Sequence, residues 1–138
     1  MYAVAYQRIA PKQGNMTEGT DGKTIDGMSI KRIENLIASL KDESYQPKPS
    51  RRTYIPKKNG KMRPLGIPAT EDKLLQEVVK MVLETIYEES FEYTSHGFRP
   101  KRSCHTALKQ IEKSFCGVKW YIEGDIKGFF DNINHDVM

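Results

Sequence analysis

Residues 52–67, RTYIPKKNGKMRPLGI, decide how this chain is built. Asn59-Gly60 sits between two short extended runs. That pattern predicts a β-hairpin with a type I′ turn, whose two central positions need positive φ. Arg52 to Pro56 reads as the first strand and Lys61 to Ile67 as its return. Pro64 has no N–H to donate, so the return strand is expected at an edge or irregular. On both sides the apolar period changes to that of a helix. Ser29 reads as an N-cap ahead of Ile30, Ile33, Leu36, Ile37 and Leu40, with the helix ending near Tyr45, before Pro47 and Pro49. Thr70 reads as the cap of a longer helix with Leu74, Leu75, Val78, Val79, Val82, Leu83 and Ile86 on its core side. Glu71 and Asp72 suit its electropositive N-terminal end.

Working outward, residues 1–10 are read as a short helix or a disordered end. Pro11 to Gly27 is a loop, its four glycines lowering helix and strand preference. Phe91 to Arg102 reads as a second loop. Ser103 then caps a helix with Ala107, Leu108 and Ile111 inward, and Gly117 separates it from a strand-like run, WYIEGDIK, at 120–127. No internal repeat is visible. Helices interleaved with a hairpin predict a mixed α/β (α+β) fold rather than a bundle.

The 138 residues suffice for one ordinary domain or two small subdomains. The net charge of +4 permits nucleic-acid binding without establishing it, and its distribution says more. Between Lys48 and Pro64 lie seven Lys or Arg residues and no Asp or Glu, and Arg99, Lys101 and Arg102 form a second cluster. Cys104 and Cys116 make no CxxC pair, and no secretory leader pattern is seen. The expectation is a reducing, cytoplasmic compartment without a disulfide scaffold. His96, His105 and His135 are too scattered for a structural zinc site. No apolar run is long enough for a membrane helix.

The hairpin joins a turn to a dense cationic surface. Lys57, Lys58 and Lys61 bring ammonium groups suited to phosphate oxygens, and Arg63 can offer two parallel donors. The chain has no GxxxxGK[ST], so a nucleoside-triphosphatase loop has little support. Asp125 is read as a carboxylate at the open end of the 120–127 strand, anchored by Ile122 and Ile126. There it suits a divalent metal that neutralises phosphate charge and aligns an attacking hydroxyl. Glu123 and Asp131 are further carboxylates, with Asp125 preferred as ligand and Asp131 assigned to the following turn. Of Phe129 and Phe130, one ring would border the sugar of an incoming nucleotide if Asp125 faced the metal; otherwise both fill a core.

These segments, in this order, closely resemble the N-terminal fingers and early palm of group II intron-encoded reverse transcriptases, the intron maturases. The resemblance is carried by residues 17–27 (TEGTDGKTIDG), 54–68 (YIPKKNGKMRPLGIP) with 72–76 (DKLLQ), 95–108 (SHGFRPKRSCHTAL) and 120–133 (WYIEGDIKGFFDNI). It implies an incomplete fingers-palm fold: 1–28 the N-terminal extension and loop, 29–118 the fingers and their connection to the palm, and 119–138 the beginning of the palm. It implies RNA-directed DNA synthesis from dNTPs with Mg2+, and assistance to splicing of the intron RNA. Asp125 carries over as the catalytic metal ligand and Phe130 as the sugar-discriminating ring. Lys57, Lys58, Lys61 and Arg63 carry over as the triphosphate-contacting surface. RNA template and primer are expected at Thr17, Lys23, Arg51, Arg52, Arg99, Lys101 and Arg102. The paired-aspartate palm motif, the thumb and any endonuclease region are expected on a missing segment or a complementing chain. The alternatives for the chain by itself are a noncatalytic RNA-binding fragment and a structural segment that completes another polymerase chain.

Overall fold

The computed structural model describes residues 1–129, 132–134, 136 and 137, in two compact units, Met1–Ser90 and Phe91–Met138. In the first, helix α1 (Tyr2–Ile9) places Tyr2, Ala5, Tyr6 and Ile9 on one face, the i, i+3, i+4, i+7 spacing of a helix that packs on one side. Helix α2 (Ile30–Lys41) starts where Ser29 Oγ accepts the Arg32 N–H at 3.3 Å. It ends at Lys41, short of Tyr45: Glu43 takes φ +59°, and the Tyr45 N–H turns back to the Ser39 carbonyl at 3.0 Å. Helix α3 (Thr70–Tyr87) is the longest. Its N-cap is Ala69 rather than Thr70, because the Thr70 hydroxyl is committed to the Lys23 carbonyl at 3.0 Å.

The core is small. Ala5, Leu36, Leu74 and Val78 are buried, with Ile33, Leu40 and Met81 packed against them. Leu74 is fully buried, and its truncation to Ala would cost roughly 2–5 kcal/mol. Helix α3 carries apolar residues on more of its surface than α1 and α2 cover. Leu74, Val78 and Met81 face the core, while Val79, Val82, Leu83 and Ile86 are 39–60% exposed. The sequence predicts Leu74, Val78, Val79, Val82, Leu83 and Ile86 all on the core side; Leu74 and Val78 are there, the other four are exposed, and Met81 joins the core unpredicted.

Strands β1 (Arg51–Pro56) and β2 (Met62–Ile67) form the antiparallel hairpin, with Arg51 opposite Ile67 and Pro56 opposite Met62. The turn differs from the expected type I′. The Gly60 N–H donates to the Lys57 carbonyl at 3.0 Å, and only Gly60 has positive φ, at +77°. The Lys57 N–H then donates to the Lys61 carbonyl at 2.7 Å. This is a three-residue loop closed by a glycine bulge, in which Gly60 occupies the left-handed position. Asn59 contributes its side chain instead of a left-handed backbone, its Oδ1 accepting from the Lys61 N–H at 3.2 Å.

In the second unit, helix α4 (Cys104–Ser114) opens on a reciprocal cap: Ser103 and Thr106 each bond the other's backbone N–H. Its expected inner residues Leu108 and Ile111 are 61% and 47% exposed. The expected strand at 120–127 is absent among the described residues. Residues 118–126 carry no regular structure, and Trp120, Tyr121, Ile122 and Ile126 are exposed. A strand exists through its ladder partner, and no described segment supplies one.

Candidate nucleic-acid interface

The hairpin presents its charges to solvent. Arg51, Arg52, Lys57, Lys58, Lys61 and Arg63 are all exposed. Strand alternation puts Arg51, Thr53 and Ile55 on one face with their partners Ile67, Leu65 and Arg63, so Arg63 and Arg51 mark the two ends of that face. Arg52 lies on the other face with Tyr54 and Pro64. Lys57, Lys58 and Lys61 surround the turn. Among the described residues none of these six cations joins an ion pair; the salt bridges of the first unit fall elsewhere.

The base of the hairpin is clamped by the 17–23 loop. The Thr20 hydroxyl donates to the Pro49 carbonyl at 2.9 Å, just ahead of β1. Behind β2, the Thr70 hydroxyl reaches the Lys23 carbonyl and Lys73 Nζ donates to the Thr17 carbonyl, each at 3.0 Å. Between these bonds the Gly19 backbone lies directly on Pro68 and Ala69. A Cβ at Gly19 would fall 2.7 Å from Ala69 Cα. Lys48 Nζ bonds Asp21 Oδ2 at 3.0 Å. Burial alone pushes the Asp21 carboxyl up, but the Lys48 ammonium and the Lys23 N–H outweigh it and hold the group below its ordinary value. The same ion pair raises Lys48. Burial, joined by the nearby Arg51 charge, lowers Lys73.

A second polar cluster ties α2 to α3. Arg32 Nε and a terminal nitrogen donate to Glu71 Oε1 at 3.0 and 2.6 Å, and the Arg32 NH1 group also reaches the Gly27 carbonyl at 2.6 Å. Burial pushes Glu71 up, yet the Arg32 hydrogen bonds leave it below its ordinary value. Buried Asp72 accepts from the Tyr45 hydroxyl and, at 3.1 Å, from the Lys48 N–H. Desolvation and that carboxylate together push the Tyr45 hydroxyl up.

The sequence-derived site residues therefore divide. The hairpin brings Lys57, Lys58, Lys61 and Arg63 together. Thr17 and Lys23 sit in the clamping loop, where their carbonyls are taken by Lys73 and Thr70. Arg99 lies within its own loop, NH1 donating to the Glu92 and Ser95 carbonyls at 3.0 and 3.1 Å, its guanidinium 5.1 Å from the Phe91 ring centroid. Asp125 is exposed, and no group of three or more His, Cys, Asp or Glu that would hold a metal occurs among the described residues. One carboxylate does not make a Mg2+ site, which needs several oxygen ligands, so the described residues by themselves do not fit the ion. Phe130 and Asp131 lie outside the described residues.

Sequence reasoning missed the contacts through which Tyr45, Lys48, Thr70, Asp72 and Lys73 tie the loop, the hairpin and α3 together. Their partners lie 24 to 56 residues away, and neither periodicity nor a short motif carries that information.

An exposed cationic hairpin on a mixed α/β chain has the charge to meet phosphates, the chemistry of a nucleic-acid-binding protein. Residues 55–137 match the family model described as reverse transcriptase (RNA-dependent DNA polymerase), and the chain belongs to that family. Among curated proteins it is 57% identical over 136 residues to the group II intron-encoded protein LtrA of Lactococcus lactis subsp. cremoris, covering 98% of this chain and 23% of the relative. It is 50% identical to an uncharacterized 91 kDa protein in the cob intron of Schizosaccharomyces pombe, covering 99% of this chain and 17% of that protein. It is 43% identical to the putative COX1/OXI3 intron 1 protein of Saccharomyces cerevisiae, covering the whole chain and 16% of the relative. The chain thus spans less than a quarter of the length of these relatives. No helix among the described residues is long and apolar enough to cross a membrane.

Proposed function

We propose that the chain is the fingers and early-palm portion of a group II intron-encoded RNA-directed DNA polymerase. In this reading 1–28 form the N-terminal extension and loop, 29–118 the fingers and their connection, and 119–138 the beginning of the palm. The intact enzyme uses dNTPs, an RNA template and primer, and Mg2+, acts in the cytoplasm, and assists splicing of its intron RNA. The observation that carries the proposal is the exposed hairpin with six cations, none of them in an ion pair among the described residues. Arg63, with Lys61, Lys57 and Lys58 around the turn, binds phosphate oxygens of the incoming nucleotide. Arg51 and Arg52 hold template phosphates, positioned by the loop that contains Thr17 and Lys23. Arg99, Lys101 and Arg102 hold RNA from the second unit. Asp125 would give one carboxylate to a Mg2+ site whose other ligands lie elsewhere in the polymerase, and Phe130 would border the sugar. When bound, the ion would supply charge neutralisation at the phosphates.

The test is RNA binding by the chain across a salt series. The chain should bind with an affinity that falls steeply with salt, and replacing Lys57, Lys58, Lys61 and Arg63 by Ala should flatten that dependence. No binding at low salt by folded protein refutes the reading. A second reading, a segment that completes another polymerase chain, is favoured by the uncovered Val79, Val82, Leu83 and Ile86 row of α3. It predicts that this fragment restores primer extension to a polymerase lacking the same segment.

A further inference from the structure

A second cationic feature lies wholly within the second unit. The 93–102 loop and α4 enclose an open pocket of about 440 Å3. Two of its cations, Lys101 and Arg102, come from the loop, and two, Lys109 and Lys113, come from successive turns of α4. Among the described residues no Asp or Glu lines it and none of these four cations forms an ion pair. Like charges gathered on one concavity repel, and a polyanion relieves that repulsion.

The wall of the pocket is fixed in place. The two His96 ring nitrogens bond Thr106 Oγ1 (2.8 Å from Nδ1) and Gln110 Oε1, which ties the loop to the same face of α4 that carries Lys109 and Lys113. Thr106, Lys109, Gln110 and Lys113 stand at i, i+3, i+4 and i+7. Arg102 NH1 donates to the Tyr93 carbonyl at 2.8 Å, which orients the guanidinium beside the pocket. Lys101 takes φ +58°, a left-handed conformation uncommon for lysine. Tyr93, which also lines the pocket, is 68% exposed.

We propose that this pocket is a binding site for single-stranded RNA, with phosphates held by Lys101, Arg102, Lys109 and Lys113 and a base stacked on Tyr93. It rests on the RNA-binding reading above and extends it to α4. Four cations with an exposed ring are the elements of a sequence-tolerant single-strand site. An acidic protein segment would satisfy the charges and leave the ring without a role.

The experiment uses the 138-residue chain and a fluorescent oligouridylate, with anisotropy measured over a KCl series. Three double charge reversals are compared: K109E/K113E in the pocket, K57E/K58E in the hairpin, and K31E/K41E on α2 as a charge-matched control. All six positions are exposed, and circular dichroism confirms folding. K109E/K113E should weaken binding about tenfold or more beyond the control. It should also flatten the plot of log affinity against log salt by about 1.4, two single-strand phosphate contacts at about 0.7 each. Y93A should weaken binding about fivefold or more with the slope unchanged. If K109E/K113E behaves as K31E/K41E while K57E/K58E weakens binding, the pocket is overturned and the hairpin reading stands. If wild type itself does not bind, both fall. Fluorescent polyglutamate is titrated in parallel: if K109E/K113E loses its binding while oligouridylate binding matches the control, the occupant is an acidic protein segment and the RNA site is overturned.

Discussion

Gly19→Ala puts a methyl group where the chain leaves no room for one. Its Cβ would stand 2.7 Å from Ala69 Cα, with Ala69 N and the Pro68 carbonyl oxygen both at 3.1 Å. All three are backbone atoms, so no rotamer change relieves the clash. To reach ordinary contact, 3.4 Å, the loop must retreat by about 0.7 Å. That retreat stretches the bonds from Thr20 to Pro49, Thr70 to Lys23 and Lys73 to Thr17. Overpacking of this kind costs about 1–3 kcal/mol. Loss of glycine's freedom in the unfolded chain returns about 0.4–1 kcal/mol, because Gly19 does not occupy the left-handed region. The net expectation is a loss of about 1–2 kcal/mol, read as a lower urea midpoint with unchanged m-value. Gly22→Ala is the comparison: it has open space around it but φ +64°, so its cost is conformational and of order 1 kcal/mol. Because the clamp fixes both ends of the hairpin, Gly19→Ala should also weaken RNA binding, whereas Gly22→Ala, which leaves the contact on Ala69 intact, should do so less. An unchanged or higher urea midpoint for Gly19→Ala refutes the close approach, and with it the clamp.

Stability should hold from neutrality down to about pH 4.5, the ordinary value for Glu, and fall below it, because Glu71 is depressed in the fold and its contribution is lost as pH drops through that lowered value. Glu71→Gln should be less stable at neutral pH and lose less on acidification, measured by urea midpoints across a pH series. Asp72→Ala removes the acceptor of both the Tyr45 hydroxyl and the Lys48 N–H and should cost about 1–3 kcal/mol by the same assay. Ser103→Ala breaks the reciprocal cap of α4 and should cost about 1 kcal/mol, seen as lost helical ellipticity on mild heating. In the intact polymerase proposed above, Arg63→Ala should weaken nucleotide use more than Lys61→Ala in pre-steady-state titrations, and unchanged nucleotide affinity would remove Arg63 from the proposed triphosphate contact.

What the sequence made legible is what local chemistry controls. Ser29 and Ser103 announce their helices because a hydroxyl just before an apolar period has one good use, and both make that bond. Asn59-Gly60 announces a reversal, but not its type: the same dipeptide serves a type I′ turn or a bulged loop, and the closing Lys57–Lys61 bond decides between them. Thr70 misled for the opposite reason. It has the chemistry of a cap, but a carbonyl 47 residues earlier claims its hydroxyl. The clamp under the hairpin is of this non-local kind throughout, so the sequence displayed the hairpin's charges and hid what aims them.

The apolar rows carry the same lesson one step further. Periodicity reports which side of an element is apolar, and is silent on whether anything covers it. Val79, Val82, Leu83 and Ile86 continue the helical period of α3, and Trp120, Tyr121, Ile122 and Ile126 form an apolar run, yet both sets stand in solvent. Isolated exposed apolar residues are ordinary, but a full helical row and a strand-like run with no ladder are not. Among the described residues nothing covers either set, which is the observation behind the second reading proposed above, a segment that completes another polymerase chain. The first unit, by contrast, closes its small core and its clamp from its own residues, so its hairpin geometry can be tested on this chain directly.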